Sequence, residues 1–236
     1  MRIFEEKLAG LSGGKILDVG TGDGWFIGKL IEAFRDYDEA IGIDINDEEF
    51  NKPHDNIKNA RVSLKIMNST KLDFADESFD TVSVSHCLHH FDDISTSLSE
   101  MMRVLKPGGV FVLCEGYRDN LSEKQLTDLF QHDWNSRIDL LLERPHYPSL
   151  KKQEIIDLVN GLGLTEFESR IRICEDCPRS KGETIEKEIA EMEGKLEKVK
   201  EFQEYEELKV GRESIVKRFR TIGVACQPSV EIVGIK

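Results

Sequence analysis

The chain has 236 residues, 39% hydrophobic and 33% charged, with a formal net charge of −13. That length suits one substantial α/β domain with additions, and no apolar run approaches the roughly 18 residues of a membrane span. The acidic balance disfavours a binder of phosphate backbones, so nucleic acid is not an expected partner. The N-terminus has charges at Arg2, Glu5 and Glu6 and no apolar core of a secretory signal. The five cysteines are an odd number, with Cys87 and Cys114 in strand-like surroundings, which reads as reduced thiols in a cytoplasmic protein.

The first element is a buried strand, Lys15-Ile16-Leu17-Asp18-Val19, running into Gly20-Thr21-Gly22-Asp23-Gly24 and then a helix. Ile27, Leu30, Ile31 and Phe34 give that helix its i, i+3, i+4, i+7 stripe. Gly20 and Gly22 permit a tight turn and a close ligand approach. A dinucleotide fingerprint would need a small residue at position 25, where this chain has Trp25. The D-x-G-x-G-x-G pattern instead resembles the first motif of class I S-adenosylmethionine-dependent methyltransferases.

Ala40-Ile41-Gly42-Ile43-Asp44 is a second strand ending in an acid, 26 residues after Asp18. At that spacing a carboxylate can accept both vicinal hydroxyls of a ribose; the structural alternative is a helix cap, since Asn46 and Asp47 follow. The stretch 49–60 is irregular where a helix would be expected. Val62 to Asn68 alternates as a third strand. The resemblance implies an adenine-binding acid at its end; this chain has Asn68, whose side-chain oxygen can still accept, with Asp73 as the less favoured alternative. Ser69 would offer its backbone N–H.

Ser78 to Ser85 forms a fourth strand, followed by His86-Cys87-Leu88-His89-His90. Leu98, Met101, Met102 and Leu105 mark a helix, which Lys106-Pro107-Gly108-Gly109 is expected to stop before a fifth strand, Val110 to Glu115. The Ser-Phe-Asp entry at Ser78, the Leu-His-His exit at Leu88 and the Lys-Pro-Gly-Gly junction all resemble the same family. The resemblance implies cofactor contacts from Asp18, Gly20, Thr21, Gly22, Asp44, Ile45, Asn68, Ser69 and Ser85, with S-adenosyl-L-methionine as cofactor. A dehydrogenase using NAD is a distant alternative.

A further helix at Ile155, Leu158, Val159 and Leu162, a sixth strand over 165–174 and a last strand over 230–235 complete the pattern. By resemblance the fold is an α/β, Rossmann-like seven-stranded sheet, its last strand antiparallel, with helices on both faces and a helical lid. The cofactor-binding core is read as 1–116, with 149–174 and 230–236 as its remainder. Residues 117–148 form a lid insertion and 175–229 a helical hairpin insertion. Both insertions leave the carboxyl edge of the sheet, where open α/β folds bind ligands.

In the second insertion Ile185, Ile189, Met192, Leu196, Val199 and Phe202 alternate steps of four and three, a coiled-coil-like seam that Gly211 is expected to break before a return helix. The seam reads as an internal hairpin, or as a homodimer contact through 185–222. Residues 179–222 carry eleven acids and eleven Lys/Arg, a solvated surface and not a nucleic-acid stripe. In the first insertion His132, Trp134, Arg137, His146 and Tyr147 are candidates to line a substrate pocket, against a plain polar helix face.

Methyl transfer needs an in-line nucleophile and the exclusion of water, with a base only when the nucleophile arrives protonated. His86, His89 and His90 are weak candidates for that base. Cys174, Cys177 and Cys226 could meet at the carboxyl edge as zinc ligands, although three unpaired thiols is the favoured reading. The sequence thus points to methylation of a small molecule, with an RNA or protein methyltransferase and a non-catalytic cofactor-binding subunit as alternatives.

Overall fold

The structure is a computed structural model that describes residues 3–46, 48–58, 61–174 and 182–236. It divides into two units: 1–115 with 153–171 and 230–236, and 116–152 with 172–229.

Unit 1 holds a seven-stranded sheet. Its elements are α1 (Ile3–Leu8), β1 (Lys15–Val19), α2 (Trp25–Ala33), β2 (Glu39–Asp44), β3 (Val62–Ile66), β4 (Phe79–Ser85), α3 (Ile94–Val104), β5 (Leu105–Gly116), α5 (Lys152–Asn160), β6 (Glu166–Arg172) and β7 (Ser229–Ile235). The chain between β5 and α5 contributes α4 (Glu123–Leu141), and that between β6 and β7 contributes α6 (Gly182–Glu197) and α7 (Tyr205–Thr221). The strand order is β3-β2-β1-β4-β5-β7-β6.

β1 pairs in parallel with both β2 and β4, and β4 with β5. At the far edge Lys236 N donates to Gly109 O (3.1 Å) and Thr165 N to Ile235 O (2.8 Å), so the end of β7 meets the beginnings of β5 and β6. β7 is therefore antiparallel, as expected. Strands covered on both faces read as near-continuous apolar runs, and this is why Ile16, Leu17, Val82, Val84, Phe111 and Val112 are buried. One face is sealed by Phe26, Ile27, Leu30 and Ile31 of α2 with Ile3, Phe4 and Leu8 of α1. The chain reverses direction across the sheet between β1 and β4, which leaves a crevice at their carboxyl ends.

One local expectation changes. The Lys106-Pro107-Gly108-Gly109 segment does not separate helix from strand: α3 ends at Val104 and β5 already starts at Leu105. The glycines fall in an irregular strand opening where the β4–β5 register shifts between Phe79 and Thr81, and Gly108 takes φ 75°. The stretch after β2 is irregular, as read from the sequence, and forms two short 3-10 turns, Glu48–Asn51 and Asp55–Ile57. Asn56 lies so near Gly28 that a Cβ there would come within 2.4 Å of its side-chain atoms, so this turn covers α2 closely.

Unit 2 is helical. Ser122 and Gln125 close a capping box at the start of α4. Ile189, Met192, Leu196 and Val199 from the α6 seam pack with Leu208, Ile215 and Phe219 of α7 and with Trp134 and Ile138 of α4. Gly211 does not break the return helix but lies inside α7, and the chain turns before it, between α6 and Tyr205. A Cβ on Gly211 would stand 3.2 Å from Trp134 Cδ1, so the missing side chain lets α7 approach that indole. The seam residues Ile189, Met192, Leu196 and Val199 are buried within their own chain, whereas Phe202, between α6 and α7, is 39% exposed and Val210 of α7 is 64% exposed.

Candidate active site

The turn after β1 is tied to the end of β2. Gly20 N and Thr21 N both donate to Ile43 O (2.8 and 2.9 Å), and Gly22 N donates to Asp44 Oδ2 (3.0 Å). Asn46 N donates to Asp44 Oδ1 (3.2 Å). The carboxylate thus sits at the strand terminus with one backbone donor on each oxygen, fewer than the roughly four acceptor positions it has.

The glycines serve two purposes. Gly22, at φ 52°, has nothing within 4 Å of the place its Cβ would take, so its bareness faces open space. Gly20 is different: a Cβ would stand 2.0 Å from Cys87 Sγ. Its absence accommodates the thiol of the turn after β4, not a ligand.

Asp18 is 1% exposed. Its Oδ1 accepts from Ser83 Oγ at 2.6 Å, whereas Oδ2 is buried with no hydrogen-bond partner. Burial, with the Asp44 charge adding to it, raises this carboxyl to about 7 against the pull of the Ser83 and Thr21 hydroxyls. A buried acceptor left without a donor costs about 1–3 kcal/mol. Thr21 Oγ1 is also buried without a well-formed hydrogen bond, although its hydroxyl is near enough to Asp18 to help hold that carboxyl down.

The turn after β4 is anchored by a residue that sequence reasoning passed over. Glu115, near the end of β5, is 1% exposed. Its Oε2 accepts from Cys87 N and Leu88 N (both 3.0 Å), and its Oε1 lies 2.8 Å from His89 Nδ1. Burial alone would raise the carboxyl, but the hydrogen bond and charge of His89, the His86 charge and the Leu88 N–H together hold it low. An acid at the carboxyl end of a buried strand was the available signal.

The three histidines are thereby distinguished. His89 has its Nδ1 fixed on a carboxylate, which directs its Nε2 away from Glu115. His86 takes φ 49°, donates its N–H to Cys114 O (2.7 Å) and sets Nε2 3.6 Å from Cys114 Sγ. His90 lies against the His89 ring, with centroids 4.4 Å apart. Cys87 belongs to this turn and not to a strand, and burial followed by the charges of Asp44, Glu115 and Asp18 pushes its thiol well up.

The other expected cofactor residues are placed unevenly. Ile45, 61% exposed directly after β2, offers an apolar face. Ser85 closes β4 beside Cys114. Asn68 Oδ1 accepts from both Thr70 N and Thr70 Oγ1 (2.9 Å each), so its oxygen closes a turn, and the structure does not hold it out to an adenine. Ser69 Oγ is 2.8 Å from Ser97 Oγ, which leaves only its backbone in question.

In unit 2 the pocket candidates separate. Trp134 is a core residue, 4% exposed, whose indole N–H donates to Leu208 O at 2.8 Å. Its aromatic bulk fills the gap that Gly211 leaves, so it does not line a pocket. Arg137 pairs with Glu207 at 2.9 Å on the outer helix surface. His132 and His146 face one another, and Tyr147 is 38% exposed. Burial would raise the Asp139 carboxyl, but the hydrogen bond from His146 and nearby positive charges bring it below its ordinary value. Cys174 and Cys226 form no disulfide, and Cys177 lies outside the described residues.

Residues 17–113 match a family described as Methyltransferase domain. The chain is 36% identical over 105 residues to a demethylmenaquinone methyltransferase of Bacteroides fragilis. That alignment covers 43% of this chain and 42% of the relative, so the chain matches less than half the length of that protein. Over nearly the whole chain the fold is similar to the YcgJ protein of Bacillus subtilis, with a TM-score of 0.59 and 18% identity, covering 99% of this chain and 96% of that one. A methyltransferase of Bacillus halodurans, so far assigned only provisionally, gives a TM-score of 0.58 at 21% identity, covering 98% and 96%. Residues 17–113 are thus similar to a methyltransferase domain, and the fold as a whole is similar to that of these two structures.

Proposed function

We propose that the chain binds S-adenosylmethionine at the carboxyl ends of β1, β2 and β4 and transfers its methyl group to a small-molecule acceptor. The observation that carries this reading is the buried, unpartnered Asp18 Oδ2 beside a glycine turn whose Gly22 faces open space. A cofactor bearing an α-ammonium supplies the donor that this oxygen lacks. Asp44 keeps acceptor capacity for the two ribose hydroxyls, and exposed Ile45 suits one face of the adenine. Ser69 N–H and, if its turn on Thr70 opens, Asn68 would serve the adenine edge.

The bound cofactor supplies an already activated methyl group on a sulfonium. What remains for the chain is to orient the acceptor and take its proton. His89 suits the role of proton acceptor, because Glu115 holds its Nδ1 and so makes Nε2 the ring's basic nitrogen. The acceptor loses a proton to Nε2 as its nucleophilic atom bonds to the methyl carbon and the sulfonium leaves as a neutral thioether. The relative's name suggests an acceptor of the quinol type, whose ring becomes nucleophilic when a hydroxyl gives up its proton. Reduced cysteines and the lack, among the described residues, of any helix long and apolar enough to cross a membrane accord with a cytoplasmic setting.

The test is incubation of the purified protein with methyl-labelled S-adenosylmethionine and a cell extract, followed by fractionation. Label in the organic-extractable fraction supports the reading. Label confined to RNA or protein, or no transfer despite cofactor binding, overturns it in favour of a macromolecular acceptor or a non-catalytic subunit.

A further inference from the structure

Within unit 2 the α4 residues His132, Asp133, Ser136 and Asp139 meet His146 and Ser149 of the following loop. His146 is 7% exposed and pinned at both ends. Its Nδ1 lies 2.7 Å from Asp139 Oδ2, and its backbone carbonyl accepts a hydrogen bond from Ser136 Oγ. Its other ring nitrogen, Nε2, lies 3.3 Å from His132 Nε2, with the two rings nearly perpendicular at 86°. His132 is backed more loosely. Its Nδ1 has Ser149 Oγ at 3.5 Å and Asp133 Oδ1 at 3.6 Å. That Asp133 oxygen is buried with no hydrogen-bond partner, while Oδ2 of the same carboxylate accepts from Arg118 at 3.0 Å.

We propose that His132 and His146 bind a borderline divalent transition-metal ion, of the zinc, cobalt or nickel type, through their Nε2 atoms. Two imidazole nitrogens, each about 2.0–2.1 Å from a tetrahedral ion, stand about 3.3–3.4 Å apart, which is the separation present here. Both ligand nitrogens are the ones remote from a carboxylate. Asp139 then acts as the outer-shell acceptor that fixes His146 as the Nδ1–H tautomer, while Ser149 Oγ is the group in hydrogen-bond reach of His132 Nδ1 and the Asp133 charge stands just beyond it. Two imidazole nitrogens that face each other at that distance share either a proton or a metal ion. Imidazole nitrogen selects a transition metal over magnesium or calcium, which take oxygen ligands. The remaining coordination positions go to water or to other donor atoms, including those of a bound acceptor. The competing occupant is a proton shared between the rings. This inference does not depend on the cofactor reading of unit 1.

The experiment is titration of the chelator-treated, full-length protein with cobalt(II), followed by its d–d absorption, with zinc and magnesium as competitors. One equivalent should bind, be displaced by zinc and ignore magnesium. His132→Ala and His146→Ala should each weaken binding at least 100-fold, and Asp139→Asn should weaken it about 10- to 100-fold; His54→Ala should leave it unchanged. Circular dichroism checks that the variants fold. A readout on the unaltered protein keeps the test decisive should they not: cobalt(II) should shift the exchangeable Nδ1–H proton signals of two histidines. No saturable cobalt binding, full binding by the His132→Ala/His146→Ala double variant, or unshifted imidazole signals would leave a proton as the occupant and overturn the proposal.

Discussion

Asp18 gives a prediction that joins stability to binding. With the carboxyl raised to about 7 by burial, most of the ligand-free protein at pH 6 carries it protonated, about nine molecules in ten. Bringing the cofactor's ammonium to the unpartnered oxygen lowers that pKa, so binding at pH 6 should release about 0.9 proton, falling to about 0.5 at pH 7. Apparent affinity should rise about fivefold between those two values. Calorimetry of S-adenosylhomocysteine binding in buffers of different ionisation enthalpy reads the release directly. Measurement at pH 6 to 7 avoids the ligand's own amine, which titrates near 8. The sign for stability is the reverse of a salt-bridged acid. Because the folded pKa lies above the unfolded value of about 4, the penalty is absent below pH 4, grows up to pH 7 and then stays constant. Three units amount to about 4 kcal/mol as an upper limit. Asp18→Asn should therefore melt higher than the parent at pH 8, bind the cofactor at least tenfold more weakly and release no proton. Buffer-independent enthalpies at pH 6, or unchanged affinity in Asp18→Asn, would refute the reasoning.

Further predictions concern single contacts. Asp44→Ala should abolish cofactor binding in calorimetry while leaving the circular dichroism spectrum intact; retained affinity would remove the ribose assignment. Glu115→Gln should keep cofactor affinity but lower turnover about 10²- to 10⁴-fold, because the amide oxygen takes the two backbone N–H groups and its NH2 then faces His89 Nδ1, imposing the wrong tautomer. Equal turnover in pre-steady-state assays would show that His89 is not the base. Gly20→Ala should cost about 2–5 kcal/mol in chemical denaturation, from left-handed strain and overlap with Cys87. Cys87→Gly should recover part of that loss if the overlap is its cause. Trp134→Ala should cost about 3–5 kcal/mol and lower the cooperativity of unit 2, whereas a pocket residue would leave stability nearly unchanged.

What the sequence discloses follows from local chemistry. The glycine turn, the acid ending β2 and the apolar strands carry their signals within a few residues, so Asp18, Gly22 and Asp44 are legible by position alone. The partners of these residues are not, because they come from distant segments. Nothing near Glu115 shows that its oxygens will hold the turn at Cys87–His89, and nothing near Gly20 shows that Cys87 will occupy its Cβ volume. Gly211 reads as a helix breaker because its propensity is poor; the indole of Trp134, remote in sequence, outweighs that preference. Asn68 reads as an adenine acceptor by resemblance, and the competing local turn onto Thr70 claims its oxygen.

The most direct measurement is parallel calorimetric titration of the purified protein with S-adenosylmethionine, S-adenosylhomocysteine and NAD. Micromolar, one-to-one binding of the first two with none of NAD is the expected result. Tight binding of NAD, or no binding of either sulfur compound, would contradict the cofactor site described for β1, β2 and β4.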